Sequence, residues 1–293
     1  MSQSSVPPVT RSNFCYRHPD RQSFVLCQRC GRTICGECQT PAAVGVVCPE
    51  CMKEQRRTAP SARTGFFSRS GDRPVVTYGL IAITAFVFLL QLIPGLGITN
   101  YLLYAGVFSV PAELSPGYGF EPWRMLTTVF AHSQGFIFHI ALNMYSLWLF
   151  GQALEPMLGR ARFLTLYLIS GFAGSLGVLF LTDGYVPVVG ASGAIFGLMG
   201  AFLVIQRKLG GNMNGLLVLV GINLVIGFIP GINVAWQAHL GGLVGGALVG
   251  LIYYETRRLR HKGRQRLLIA GLCVVLVLLG LLPSLGLLST LGG

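Results

Sequence analysis

The chain has 293 residues, 52% of them hydrophobic and only 11% charged, with a formal net charge of +12 and a mean hydropathy of +0.62. A soluble globular domain carries about 25% charged residues, so this composition excludes one and implies an integral membrane protein. The positive charge does not gather into the single basic stripe of a nucleic-acid-binding face. Residues 1–73 hold 11 Lys/Arg against 5 Asp/Glu and the remainder holds the same numbers, so no nucleic-acid partner is expected and the excess is read as orienting the chain in a bilayer.

The first dozen residues are polar and lack an apolar signal core, so the first apolar span is expected to act as an uncleaved anchor. Residues 13–51 then form a cysteine-rich head with the pattern Cys15-x2-His18-x8-Cys27-x2-Cys30-x4-Cys35-x2-Cys38-x9-Cys48-x2-Cys51. Each of these four pairs has the spacing that lets two side chains grip one tetrahedral zinc, so eight ligands predict two zinc ions. A disulfide framework is the rival reading. It fits poorly, because seven cysteines is an odd number and the charge bias described below places them in a reducing compartment. The eighth, Cys273, lies alone in an apolar segment and is read as core. No ligand set leaves an open position, so the sites read as structural. A unit this small needs metal binding to supply its folding energy. Residues 52–73 follow as a polar, basic linker containing Pro60, Ser61, Gly65 and Gly71.

From residue 74 onward apolar segments dominate. Crossing a bilayer takes roughly 20 apolar residues, fewer where it is thin, and seven spans are expected at about 75–93, 137–154, 162–181, 191–206, 215–229, 235–254 and 267–288. The fold class is therefore an all-α polytopic membrane protein preceded by a small zinc-binding domain. The first connection, 94–136, is long and half-apolar, and Pro94, Pro111, Pro116 and Pro122 prevent one continuous helix there. Lys and Arg cluster before the first span and in the loops after the second, fourth and sixth, whereas the alternate loops hold only Arg124. The positive-inside rule then puts the N-terminus in the cytoplasm and the C-terminus outside.

Three polar constellations interrupt these spans. His139 and Asn143 stand four apart and so share one helix face, as a pair bridging neighbouring helices would. Ser192 lies in Gly190-Ala191-Ser192-Gly193 at the start of the fourth span. Helix N-termini offer unpaired N–H groups and a positive dipole end there, although a lone serine so placed, without partners, reads more readily as an N-cap. His239 lies in the sixth span, where an imidazole is tolerable only when hydrogen-bonded. Gly242, Gly246 and Gly250 repeat at four-residue intervals in that span, and Gly193, Gly197 and Ala201 do so in the fourth. Small residues at this spacing allow the close backbone approach that a serine–histidine pair across two helices needs.

The head resembles a B-box-type zinc finger. That resemblance implies that Cys15, His18, Cys35 and Cys38 hold one zinc and Cys27, Cys30, Cys48 and Cys51 the other. The usual B-box ends in histidine-containing ligands, whereas this one ends in Cys48 and Cys51.

Residues 75–254 resemble the rhomboid family of intramembrane serine proteases. The resemblance is carried by Trp123-Arg124, His139-x3-Asn143, Glu155 with Leu158-Gly159, Gly190-Ala191-Ser192-Gly193, and Ala238-His239-Leu240-Gly241-Gly242. It implies a six-helix rhomboid core over 74–254 with one additional transmembrane helix at 267–288. It further implies Ser192 as nucleophile, His239 as general base, and an oxyanion hole from the Ser192 N–H with the His139 and Asn143 side chains. Trp123, Arg124 and Glu155 would be structural, and catalysis would need no cofactor. Some bacterial relatives place a tyrosine where this chain has Phe196; a phenyl ring stacks under the histidine equally well. The implied substrates are membrane proteins with a transmembrane helix, cleaved within the lipid bilayer. Outside this resemblance, the membrane is read as that of a bacterial cell and the zinc head as an adaptor for a cytoplasmic protein partner. The rival readings are an inactive rhomboid-like membrane chaperone or scaffold and, less well supported, a transporter. Relatives of the inactive kind lack the serine or the histidine, and no internal repeat or intramembrane carboxylate pair suggests transport.

Overall fold

A computed structural model describes residues 13–42, 45–58, 73–113, 115–227 and 234–285. Linker residues 59–72 and the outer ends of the fifth and seventh expected spans lie outside the described residues. The chain divides into two compact units, Met1–Arg63 and Thr64–Gly293.

In the first unit, β1 (Thr40–Pro41) pairs antiparallel with β2 (Val46–Val47), with Thr40 opposite Val47, and α1 (Pro49–Thr58) follows. Its core is Ile34 and Val47 surrounded by Cys15, Cys27, Cys35, Cys38, Cys48 and Cys51. Two aliphatic side chains bury too little apolar surface to offset the entropy of ordering such a unit. Among its described residues, the ion pairs Arg21–Glu37 at 2.6 Å, Arg29–Glu54 at 3.6 Å and Arg17–Glu50 at 3.8 Å are exposed and stabilise it little.

The second unit contains α2 (Val75–Gln91), α3 (Ile98–Leu102), α4 (Arg124–Thr127), α5 (Ile137–Leu158), α6 (Arg160–Leu181), α7 (Ser192–Lys208), α8 (Asn214–Ile226), α9 (Trp236–Glu255) and α10 (Lys262–Leu281). Helices occupy the seven expected span positions, the second running on to Leu158 and the seventh starting at Lys262. By length and composition Ile137–Leu158, Arg160–Leu181 and Lys262–Leu285 suffice to cross a membrane, while Val75–Gln91 and Asn214–Val225 are apolar but shorter.

The centre of this unit is α7 with α6 and α9 packed against it. These three helices meet backbone to backbone because glycine lines every junction. A Cβ on Gly242 would collide with the Gly193 carbonyl, and one on Gly246 with the Gly197 backbone. On Gly250 it would lie 2.7 Å from the Ala201 Cα. The Gly stripe read from the sequence is therefore the α7–α9 seam. Gly177 and Gly241 close the α6–α9 seam in the same way.

Two charged residues fasten the surrounding helices. Glu155, 2% exposed, accepts the N–H groups of Val76 at 2.9 Å and Thr77 at 2.8 Å, and the Thr77 hydroxyl at 2.7 Å. A carboxylate on the orphan donors of a helix N-terminus satisfies both hydrogen bonding and dipole, so Glu155 on α5 caps α2. Arg124, also buried, donates to Glu121 at 2.5 Å, to the Leu103 carbonyl at 3.2 Å and to the Asn100 carbonyl. Its guanidinium lies 4.1 Å from the Phe108 ring centroid. It thereby folds the long first connection into a compact cap, whereas Trp123 points outward, 57% exposed. Tyr104 of that connection exchanges backbone hydrogen bonds with Val188, fixing the strand-like segment that leads into α7.

A methyl group at position 246 has nowhere to go, because the atoms it meets are backbone; a Cβ at Gly271 on α10 meets nothing within 4 Å. Overpacking of this kind costs about 1–3 kcal/mol or more. Gly246→Ala should therefore lower the thermal unfolding midpoint in detergent, while Gly271→Ala leaves it unchanged or raises it. Equal midpoints for the two variants would contradict this account of the seam.

Candidate active site

Ser192 is the first residue of α7, and the intrahelical ladder begins with the Ile195 N–H reaching the Ala191 carbonyl at 3.0 Å. The N–H groups of Ser192, Gly193 and Ala194 precede that ladder, so the helix presents donors and the positive end of its dipole beside Ser192. The segment entering the helix is tightly held. The Gly190 N–H donates to the Thr128 carbonyl at 3.1 Å, and the Ala191 N–H donates to His132 Nε2 at 3.4 Å. Gly190 has φ +130, and a Cβ there would lie 2.9 Å from His139 Nε2 and 3.8 Å from Ser192 Oγ. Only glycine fits this position, because a Cβ would fill the gap between the His139 ring and the serine hydroxyl.

Phe196 lies one turn below Ser192 on the same face of α7, and its ring stacks on His239 at 4.1 Å with an interplanar angle of 8°. Gly193 packs against the backbone of Ala238, its notional Cβ 3.3 Å from the Ala238 carbonyl oxygen. The close α7–α9 seam thus brings Ser192 and His239 to one junction, with His239 buried. Between α6, α7 and the loop before it lies a cavity of about 20 Å³, lined in part by Thr128, Ser175, Gly190, Ser192, Gly193 and Ala238. That is room for a water molecule.

His139 and Asn143 reach the site from α5. The Ser133 N–H donates to His139 Nδ1 at 3.3 Å, which leaves the neutral ring carrying its proton on Nε2, the nitrogen that faces Gly190. Asn143 Nδ2 donates to the His139 carbonyl at 2.7 Å. This bond uses one of its two amide hydrogens and fixes the side chain against its own helix. The structure therefore brings His139 beside Gly190 and Ser192 and sets His239 on Phe196 one turn away, while Asn143 bonds its own helix through the His139 carbonyl. Sequence reasoning missed His132, which is fully buried with its ring centroid 5.2 Å from that of His139. A lone histidine in an irregular segment carries no periodic signal.

In the first unit, Cys15, His18, Cys35 and Cys38 form one group and Cys27, Cys30, Cys48 and Cys51 a second, the donor atoms of each lying within 4.8 Å of one another. His18 Nδ1 is 3.3 Å from Cys35 Sγ, 3.5 Å from Cys38 Sγ and 3.8 Å from Cys15 Sγ, and Cys30 Sγ is 3.7 Å from Cys48 Sγ. Sulfur ligands on one tetrahedral ion stand about 3.8 Å apart when the metal–sulfur bonds are about 2.3 Å, so both groups fit a metal ion. Sulfurs in a disulfide stand about 2 Å apart, and the head cysteines are all free thiols. Burial pushes the Cys15 thiol up, but N–H groups of Cys35, Arg17 and His18 outweigh it and hold it below the usual range. Burial together with neighbouring Cys15 and Cys35 raises the Cys38 thiol. Several thiolates crowded in one site repel each other, and a bound cation relieves that repulsion.

A family model described as Rhomboid domain matches residues 119–256. Over 202 residues the chain is 35% identical to "Rhomboid protease GluP" of Bacillus subtilis, covering 66% of this chain and 36% of that protein. It is 38% identical over 148 residues to "Putative rhomboid protease YdcA" of the same organism, covering 48% of this chain and 72% of that protein. With "RHOMBOID-like protein 6, mitochondrial" of Arabidopsis thaliana the identity is 40% over 143 residues, covering 46% of this chain and 44% of that protein. The chain thus spans about a third of the length of the first relative and most of the second.

The head geometry predicts two metal ions per purified full-length chain by elemental analysis. Because binding and folding are coupled in so small a unit, a strong chelator should expose residues 13–58 to proteolysis while leaving the unfolding midpoint of the helical unit unchanged. One equivalent or none would contradict the paired ligand sets.

Proposed function

Because the chain belongs to the rhomboid family and is a multi-pass integral membrane protein, we propose that it is an intramembrane serine endopeptidase acting through Ser192 and His239. The observation that carries this reading is the junction of α7 and α9: a serine at a helix N-terminus, a buried histidine stacked on Phe196 one turn below it, and glycine seams that bring the two backbones together.

In this reading His239 takes the Ser192 hydroxyl proton as Oγ attacks a peptide carbonyl in the substrate's transmembrane segment. The carbonyl oxygen becomes an oxyanion, stabilised by the Ser192 N–H, the His139 Nε2–H and the remaining Asn143 amide hydrogen. His239 returns the proton to the departing amine, leaving an acyl-enzyme on Ser192. Water, deprotonated by His239, then attacks the ester and releases the second product. The tautomer of His139 supports its part: with Nδ1 accepting the Ser133 N–H, Nε2 is a donor in the neutral state. The cavity beside Ser192 supports a water supply in a dry surrounding. Phe196 holds the imidazole plane without a hydroxyl, and the stack itself supports retained activity.

The two head groups would hold structural zinc, since four protein ligands each close a tetrahedral shell. We read residues 13–51 as this zinc domain, 52–73 as linker, 74–254 as the protease core and 267–288 as an added seventh span. The charge bias supports a cytoplasmic N-terminus and an outer C-terminus, and the two Bacillus subtilis relatives support a bacterial cell membrane. The head would then meet a cytoplasmic protein partner, while substrates would be membrane proteins whose transmembrane helix enters from the bilayer.

Ser192→Ala and His239→Ala should each abolish cleavage of a model single-span substrate without loss of folding, because the pair acts as one unit. His139→Ala and Asn143→Ala should each lower kcat by roughly 10²–10³, the usual cost of one oxyanion donor. Steady-state kinetics in proteoliposomes decide it: undiminished turnover in the Ser192 or His239 variant would overturn the assignment.

A further inference from the structure

One fully buried histidine, His132, has no part in the reaction as described. It sits in the short segment joining the 3₁₀ turn Thr128–Phe130 to α5, and that segment touches both halves of the site. On one side His132 Nε2 accepts the Ala191 N–H at 3.4 Å, and the Thr128 carbonyl accepts the Gly190 N–H at 3.1 Å. On the other, the Ser133 N–H fixes the His139 ring through Nδ1, and the His132 and His139 rings lie 5.2 Å apart. The segment is itself clamped by one side chain at the end of α2. Gln91 Oε1 accepts the His132 N–H at 3.0 Å, and Gln91 Nε2 donates to the His132 carbonyl at 3.0 Å. One amide thus satisfies both backbone groups of His132, so the imidazole is presented from a rigid base.

From this geometry we infer that His132 is a positioning residue of the oxyanion hole, its Nε2 fixing through Ala191 the direction of the Ser192 N–H. The inference rests on the serine protease reading. Ala191 has helical angles, φ −69 and ψ −7, so orienting the Gly190–Ala191 peptide orients the next one, which carries the Ser192 N–H. Accepting the Ala191 N–H requires a neutral ring with its proton on Nδ1. With that acceptor gone, the Ala191 N–H is buried without a partner. The turn before Ser192 then relaxes toward another bond, and oxyanion stabilisation is sensitive to displacements of this size. Substrate docking, which His132 does not touch, is unaffected.

The test compares His132→Leu, which cannot accept a hydrogen bond, with His132→Gln, whose Oε1 stands where Nε2 stands. The full-length protein in proteoliposomes is used, with the wild type and Ser192→Ala run alongside. The expected result is that His132→Leu lowers kcat by roughly 10- to 100-fold with KM unchanged, alongside a lower unfolding midpoint from the unpaired Ala191 N–H. The affinity of a peptide aldehyde, whose adduct needs the oxyanion hole, should fall in parallel, while that of the corresponding peptide alcohol holds. His132→Gln should recover most of both. Should His132→Leu fail to fold, the glutamine variant still decides: near wild-type kcat and aldehyde affinity support the role, and a folded glutamine variant as slow as the oxyanion-donor variants overturns it. Wild-type kcat in a folded His132→Leu, or a change confined to KM or the midpoint, also overturns it. A wild type no faster than Ser192→Ala would instead overturn the protease reading, and this inference with it.

Discussion

Everything in the helical unit depends on how closely α6, α7 and α9 approach. In a lipid setting helices gain no hydrophobic drive from packing against each other, so association rests on van der Waals contact and hydrogen bonds, and small residues make that contact possible. Here the glycine seams bring main chain against main chain, with the Gly193 carbonyl where a Gly242 side chain would have been. The same seams carry the proposed chemistry, since Ser192 and His239 lie next to the glycines at the top of the α7–α9 contact. A serine hydroxyl and an imidazole on separate helices can meet only if the helices almost touch. Packing and proposed catalysis are one constraint.

Around this core the polar groups follow a second rule: backbone donors and acceptors away from water must find partners within the protein. Glu155 answers the exposed start of α2, Arg124 answers the carbonyls of the first connection, and Gln91 answers both backbone groups of His132. Each belongs to one element and serves another, so they fix relative position as well as satisfying hydrogen bonds. Glu155 locks α2 to α5, and Gln91 locks the end of α2 to the segment beneath His139. In the proposed reading, the donors of the site are thereby held before any substrate arrives, which is the condition for electrostatic stabilisation of a developing charge.

Much of this was legible in the chain. Helices of the second unit fall on the seven expected apolar runs, three of them long and apolar enough to cross a membrane, and the seams follow from Gly242, Gly246 and Gly250 standing one turn apart. The two ligand groups gather as the B-box resemblance implied, because Cys-x2-Cys pairs have little freedom beyond which pair joins which. Helix ends were less legible: α5 continues through Pro156 to Leu158, since a proline near a C-terminus disturbs only the last turn. The illegible part was the irregular first connection. Nothing in its composition says that Gln91 reaches the backbone of His132, nor that His132 reaches Ala191. Those contacts join residues 41 and 59 positions apart in the chain and arise only once the helices are packed.

The two units pose different physical problems. The head sets two groups of side chains that could hold metal ions around a minimal apolar core, whereas the helical unit depends on seams and buried polar clamps. The central claim concerns the latter, that Ser192 is a nucleophile activated by its surroundings. Its most direct measurement is covalent labelling of the folded full-length protein by a fluorophosphonate, with the modified residue located by peptide mass spectrometry. The expected result is a single adduct on Ser192 that disappears in His239→Ala. A folded protein that stays unlabelled at Ser192, or that is labelled equally well without His239, would contradict it.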